Sequence, residues 1–204
     1  MRALVLVDLQ NDFMPGGALA VSDGEATVYV ANALMDHFDL VVATQDCHPN
    51  DHGSFVTQHA GVSVGDVIDL GGLEQVVWPV HCVEGTRGAE LHRDLDAERI
   101  DRVFPKGTEV GIDSYSGFFD NGRRCATGLG AYLEERGVSS VYVMGLATDY
   151  CVQFTALDAR SLGFDTYLVA DGCRAVELAA GDGDRAIDAM RAAGVRVIVA
   201  GDID

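Results

Sequence analysis

The chain carries one lysine, Lys106; its other basic residues are arginines. A merely solvating position would be filled by arginine like the rest, so Lys106 stands out as a candidate for chemistry. It lies in Val103-Phe104-Pro105-Lys106-Gly107, at the end of what reads as a short strand. Two other reactive side chains hold matching places. Asp8 ends the apolar run Ala3-Leu4-Val5-Leu6-Val7, and Cys151 follows the run that ends at Leu146, in Leu146-Ala147-Thr148-Asp149-Tyr150-Cys151. In an open parallel sheet the carboxyl ends of the strands converge on one crevice. An acid, an amine and a thiol delivered there together suggest an activated cysteine nucleophile.

Each partner has a stated task and an ordinary alternative. Cys151 falls in the opening turn of a helix expected to begin near Asp149. Partial positive charge and free N–H groups there favour a thiolate and lower its pKa. The same amides, with that of Ala147, can hold an oxyanion. The alternative is a cysteine packed under the sheet. Asp8, at the end of a central apolar strand, is expected to be desolvated, with a raised pKa suited to accepting the thiol proton; otherwise it is a loop acid. Lys106 beside Asp8 would hold that carboxylate; otherwise it is a surface lysine. The convergence of all three at strand ends favours the chemical reading.

A metal-ligating pattern follows the second expected strand, in Asp46-Cys47-His48-Pro49-Asn50-Asp51-His52. Asp46 and His48, two apart, point the same way in an extended segment. Carboxylate and imidazole suit a borderline divalent ion such as Zn²⁺, Fe²⁺ or Mn²⁺. His52 comes within reach if the chain turns at Pro49-Asn50, and His81, in Trp78-Pro79-Val80-His81-Cys82, closes the set from the far end of a long loop. A bare Asp-x-His is more often a solvated loop; the two further histidines tip the reading to a metal. His37 and His92 fall on expected helices and read as surface residues. His59 lies in a loop. Cys47, Cys82, Cys125 and Cys173 lack Cys-x-x-Cys spacing and read mostly as packing residues.

The elements that must position these groups alternate. Runs rich in Val, Leu and Tyr near 2–8, 39–45, 101–105, 139–146, 165–171 and 195–200 are apolar on both faces, as buried parallel strands are. Helical segments are expected near 24–37, 122–136, 149–162 and 182–193, with a short one near 88–95. Right-handed strand–helix–strand units predict a single doubly wound α/β domain over 1–204, a parallel sheet flanked by helices on both faces. Only 46–100 breaks the rhythm, and loops of that length are usually functional or mobile.

Composition narrows the partners. With 48% apolar residues the chain can build a globular core. A net charge of −18 and a pI near 4.4 repel phosphates, which disfavours nucleic acid and anionic membranes. No apolar run approaches a membrane span of roughly 18 residues, and no signal-peptide layout opens the chain. Five cysteines without a dense framework predict a cytoplasmic, thiol-reduced setting. The expected partner is a small molecule, and the expected state a monomer or small homo-oligomer.

At this point the chain resembles the nicotinamidase/pyrazinamidase family of the isochorismatase-like cysteine hydrolases, over nearly its whole length. The resemblance rests on Val7-Asp8-Leu9-Gln10-Asn11-Asp12-Phe13, Thr44-Gln45-Asp46-Cys47-His48-Pro49, Trp78-Pro79-Val80-His81-Cys82-Val83, Lys106-Gly107, Tyr115-Ser116-Gly117-Phe118 and Gly145-Leu146-Ala147-Thr148-Asp149-Tyr150-Cys151-Val152. It implies a six-stranded parallel sheet and a thioester route from nicotinamide to nicotinic acid and ammonia, with pyrazinamide also accepted. It implies Cys151 as nucleophile, Asp8 as base and acid, and Lys106 as third member of the triad. Asp46, His48 and His81 resemble the ligands of one divalent ion, zinc before iron or manganese, with His52 binding directly or through water. The Leu146–Ala147 bond resembles the family's cis peptide, which turns the amides of Ala147 and Cys151 toward the oxyanion. Phe13, Leu19, Trp78, Tyr115 and Tyr150 match positions lining the ring pocket. Cys47 departs from the pattern, standing where relatives usually carry an aromatic residue.

Overall fold

A computed structural model describes residues 1–203. In chain order the elements are β1 (Arg2–Val7), α1 (Glu25–Leu34), β2 (Leu40–Asp46), β3 (Val67–Leu70), β4 (Leu73–Val76), β5 (Arg102–Lys106), α2 (Leu129–Glu135), β6 (Ser140–Leu146), α3 (Gln153–Ser161), β7 (Asp165–Arg174), α4 (Asp182–Ala192) and β8 (Arg196–Ile198). Six strands form one parallel sheet in the order β5-β2-β1-β6-β7-β8. The chain runs from β1 outward to β2 and β5, then returns to β6 on the other side of β1. Right-handed crossovers travelling in opposite directions put helices on opposite faces. Accordingly α1 and α3 each pack on β6 and β7, and α4 lies beside α3.

The sheet is held by burial on both faces. Ala3, Leu4, Val5, Leu6 and Val7 of β1 are fully buried. Each Leu or Val so enclosed contributes about 1.5–3 kcal/mol relative to exposure. Cross-strand partners Tyr142 and Tyr167 stack with ring centroids 4.4 Å apart.

Three expectations need correction. The helix expected over 122–136 begins only at Leu129. Upstream, the Asp120 carboxylate accepts the amides of Gly122, Arg124 and Cys125 at 2.7–2.9 Å, and this local alternative competes with helical hydrogen bonding. Cys125 is therefore exposed rather than packed. Near 88–95 there is only the 3₁₀ turn Arg87–Ala89, so His92 is not helical. A Cβ on Gly88 would sit 2.1 Å from Asp12 Oδ2, so this turn is pressed onto the β1 loop. The long stretch 46–100 also contains an unforeseen hairpin, β3–β4, antiparallel and closed by Gly71-Gly72, both at positive φ (64° and 86°).

Candidate active site

Register places the reactive groups. Asp46 and Lys106 are paired as the last residues of β2 and β5, and Val7 of β1 pairs with Gly145 of β6. Asp8 follows β1 directly, and Cys151 lies in the π-helical turn Thr148–Val152 after β6. The groups meet where the chain's travel reverses, between β1 and β6, which is where open α/β sheets form their crevice.

Lys106 is the hub. Its Nζ lies 2.8 Å from Asp8 Oδ2, 2.6 Å from Asp46 Oδ1 and 3.4 Å from Cys151 Sγ, and it donates to the Ser114 carbonyl at 2.9 Å. Asp8 is fully buried with φ +51°, a left-handed conformation uncommon outside glycine. Thr44 Oγ1 donates to Asp8 Oδ1 at 2.6 Å. Asp8 Oδ2 lies against the ammonium and has no hydrogen bond of its own, so it can take a proton. Carboxylate oxygens of Asp8 and Asp46 and the Cys151 sulfur lie within 4.8 Å of one another.

Burial and charge set the protonation states. Burial pushes the Asp8 carboxyl up, against the pull of Lys106. Burial also works against ionising Asp46, but Lys106 and then His48 outweigh it and hold Asp46 well below the usual range. Lys106 would be pushed down by burial; Asp46 and Asp8 instead raise it well above its ordinary value. Burial pushes the Cys151 thiol well above its ordinary value, with Lys106 opposing. The expected depression by the turn's amides is thus overturned. Loss of solvent around the buried sulfur, with the Asp8 and Asp46 carboxylates adding to it, exceeds the attraction of the one shared ammonium. The resting group is a thiol, and its proton has to be removed by a neighbour.

The metal-type ligands form a second layer on the same wall. His48 Nδ1 and His81 Nδ1 each face a backbone carbonyl, of Gly107 and Pro79, at 2.8 Å. A carbonyl only accepts, so both Nδ1 atoms carry the proton and both Nε2 atoms present lone pairs. Those Nε2 atoms converge on Asp46 Oδ2, at 3.3 Å from His48 and 3.6 Å from His81. His48 Nε2 is buried with no hydrogen-bond partner. An orphaned lone pair beside a carboxylate and a second imidazole fits a divalent cation. Without a cation the Asp46 field favours a proton at that same His48 Nε2: burial opposes its charging, but Asp46 brings its pKa up to about 9, and a bound cation would take the proton's place.

His52 stands apart from that cluster. Its ring is tilted against His48 with centroids 4.3 Å apart. Nδ1 contacts Ser54 Oγ at 2.8 Å, and Nε2 lies 3.3 Å from the Ile112 carbonyl. With His48 and Asp113 it forms a neighbouring group of possible ligand atoms. Burial pushes its pKa down.

Gly107 locks the arrangement. It has φ +66°, and a Cβ there would meet His48 Cε1 at 2.5 Å. Gly107→Ala is expected to displace His48 and lower divalent-ion affinity about 10–100-fold, the usual effect of losing a ligand's orienting contact. Titration of the ion-free protein with zinc, followed calorimetrically, checks it; unchanged affinity would show that Gly107 does not position His48.

A small cavity, with about 30 Å³ of free space, opens beside these groups. Phe13, Leu19, Trp78, Tyr115 and Tyr150, all singled out from the sequence, line it together with Asp46, His81, Ala147 and Cys151. Phe13 packs edge-on to His81 at 5.7 Å, and Trp78 edge-on to Tyr150 at 4.8 Å. The Leu146–Ala147 peptide is cis. Sequence reasoning missed Asp113 and Val176 on the same wall, and Thr44 and Ser114 behind the triad. Thr44 lay within a quoted motif; nothing local marked the others.

Comparison with known proteins gives a consistent picture. The Isochorismatase domain model matches residues 2–202. The nicotinamidase of Escherichia coli (strain K12) is 49% identical, over 98% of this chain and 96% of that protein. A solved nicotinamidase/pyrazinamidase structure from Acinetobacter baumanii superposes with a TM-score of 0.96 at 43% identity, covering 100% of this chain and 98% of that one. A pyrazinamidase from Pyrococcus horikoshii, solved in complex with zinc, matches at a TM-score of 0.78 and 37% identity, over 97% of this chain and 98% of that one.

Proposed function

The chain belongs to the isochorismatase-domain family, in its nicotinamidase branch of amide hydrolases, and from that premise we propose that it converts nicotinamide to nicotinic acid and ammonia through a thioester on Cys151. The observation that carries this reading is the contact of Asp8, Lys106 and Cys151 at the wall of an aromatic-lined cavity. Pyrazinamide, with a ring nitrogen in the same relation to its amide, is a second substrate.

The ring enters between Phe13, Trp78 and the two tyrosines. Asp8, raised by burial and with one oxygen free of hydrogen bonds, takes the Cys151 proton. The sulfur attacks the amide carbon, and the amides of Ala147 and Cys151 hold the oxyanion. Asp8 returns the proton to the leaving nitrogen, and ammonia departs. A water that gives its proton to Asp8 then attacks the thioester, releasing nicotinic acid and restoring the thiol. Lys106 keeps Asp8 oriented and compensates negative charge through both steps. Asp46, His48 and His81 would hold one divalent ion, zinc first and iron or manganese as alternatives, with His52 behind them. When bound, that ion supplies a Lewis-acid anchor for the pyridine nitrogen.

The expected setting is cytoplasmic nicotinamide recycling in a single-domain enzyme; among the described residues no helix is long and apolar enough to cross a membrane. The test is ammonia release from nicotinamide, measured beside metal content before and after chelation. Turnover that collapses on chelation and returns with added zinc, iron or manganese supports the reading. Absence of ammonia from the metal-loaded protein would overturn the substrate, and full activity in ion-free protein would overturn the metal.

A further inference from the structure

The mouth of the ring cavity is bounded by half-buried Leu19, Tyr150 and Val176. Val176 follows the end of β7, and no regular element fixes it. One carboxylate does. The amide of Val176 donates to Asp149 Oδ1 at 2.9 Å, and the amide of Glu177 donates to Asp149 Oδ2 at 2.9 Å. Asp149 is buried and sits in the same π-helical turn as Cys151, two residues before it.

The rest of the loop is tied down in series. Glu177 has φ +58°, and its carboxylate accepts the amides of Gly181 and Gly183 at 2.6 and 2.8 Å. On the other side, Arg174 Nε and Nη2 donate to Asp23 Oδ2 at 2.9 and 2.7 Å. That pair joins the strand end before Val176 to the segment following Leu19. Val176 is β-branched and stiff at χ1, so a fixed backbone here means a fixed wall.

We infer that Asp149 is a positioning residue that bridges the nucleophile turn to Val176, and that Val176 determines which ring substituents the amide substrate can carry. The inference rests on the amidase reading above and deepens it. Asp149 has two charge-assisted acceptor bonds to backbone, the strong kind. Asparagine keeps one acceptor and turns an NH₂ group toward the other N–H, so one bond becomes a repulsion. Truncating Val176 to alanine removes two methyl groups from the mouth. One carbon of fit in an apolar pocket is worth roughly tenfold or more in discrimination.

The experiment compares kcat/KM for nicotinamide and for the singly ring-methylated nicotinamides, in wild type, Val176→Ala and Asp149→Asn. Val176→Ala is expected to raise the methylated-to-parent ratio about tenfold for at least one ring position. Asp149→Asn should move the same ratio in the same direction, with KM for the parent changing more than kcat. A ratio unchanged in Val176→Ala, with wild type active on nicotinamide, overturns the assignment of Val176. An altered ratio in Val176→Ala with an unaltered one in folded Asp149→Asn overturns the bridge. If Asp149→Asn does not fold, Asp149→Ser, whose short side chain offers one acceptor oxygen in place of two, takes its place with the same reading. A wild type inactive on nicotinamide removes the amidase reading instead, a distinct outcome because it precedes any ratio.

Discussion

Replacing Cys151 with alanine is expected to lower nicotinamide turnover by about 10⁴-fold or more while leaving the fold intact. No other sulfur can substitute. The sulfur lies 3.4 Å from Lys106 Nζ and shares a 4.8 Å neighbourhood with carboxylate oxygens of Asp8 and Asp46. Cys47, between the metal-type ligands Asp46 and His48, does not line the ring cavity. The fold should tolerate the change because the thiol takes part in no strand pairing, and losing one sulfur from a buried site costs about 1 kcal/mol. Single-turnover ammonia release with a matched thermal melt checks both halves. Turnover within tenfold of wild type would remove the nucleophile assignment, whatever the melt shows.

Replacing Lys106 with methionine should abolish activity and also destabilise the protein by about 3–5 kcal/mol, the usual effect of removing one partner from a buried ionic group. The ammonium is enclosed, and without it the Asp8 and Asp46 carboxylates face each other in a dry site. Their repulsion would raise the folded-state pKa of at least one above its unfolded value. The folded state then binds more protons than the unfolded state across that window, so stability falls as pH rises through it. The deficit is therefore largest at neutral and alkaline pH and shrinks as pH drops toward the ordinary carboxylate range. Urea unfolding at two pH values reads this directly. Asp8→Asn combined with Lys106→Met should recover part of the loss, since one of the two stranded charges is gone. A deficit independent of pH, or no recovery in the double variant, would show that the buried charges are not coupled through Lys106.

Much of the scaffold was legible before the coordinates. Buried parallel strands are apolar on both faces, so the runs at β1, β2 and β6 announce themselves, and the shorter apolar stretches of β5, β7 and β8 follow in the same rhythm. Helices α3 and α4 and most of α1 also matched, because their 3.6-residue patterns run without competition. The failures were local contests that periodicity does not register. At 122–128 a single carboxylate, Asp120, captured three amides that a helix would have used. In the long loop, short alternation around Gly71-Gly72 was too brief to read as a hairpin.

By itself, the sequence determined which reactive side chains stand at strand ends and how far apart they lie along the chain. Parallel pairing makes strand ends coincide in space, so Asp8, Asp46, Lys106 and Cys151 were readable as one neighbourhood. Only the tertiary structure decided their states. The thiol is pushed up rather than down because burial strips most solvent from the sulfur. His48 and His81 point Nε2 at Asp46 because the Gly107 and Pro79 carbonyls take their Nδ1 protons. Asp149 meets Val176 because β7 returns beside β6. Desolvation and hydrogen-bond direction depend on atoms distant in the chain, and no local pattern encodes them.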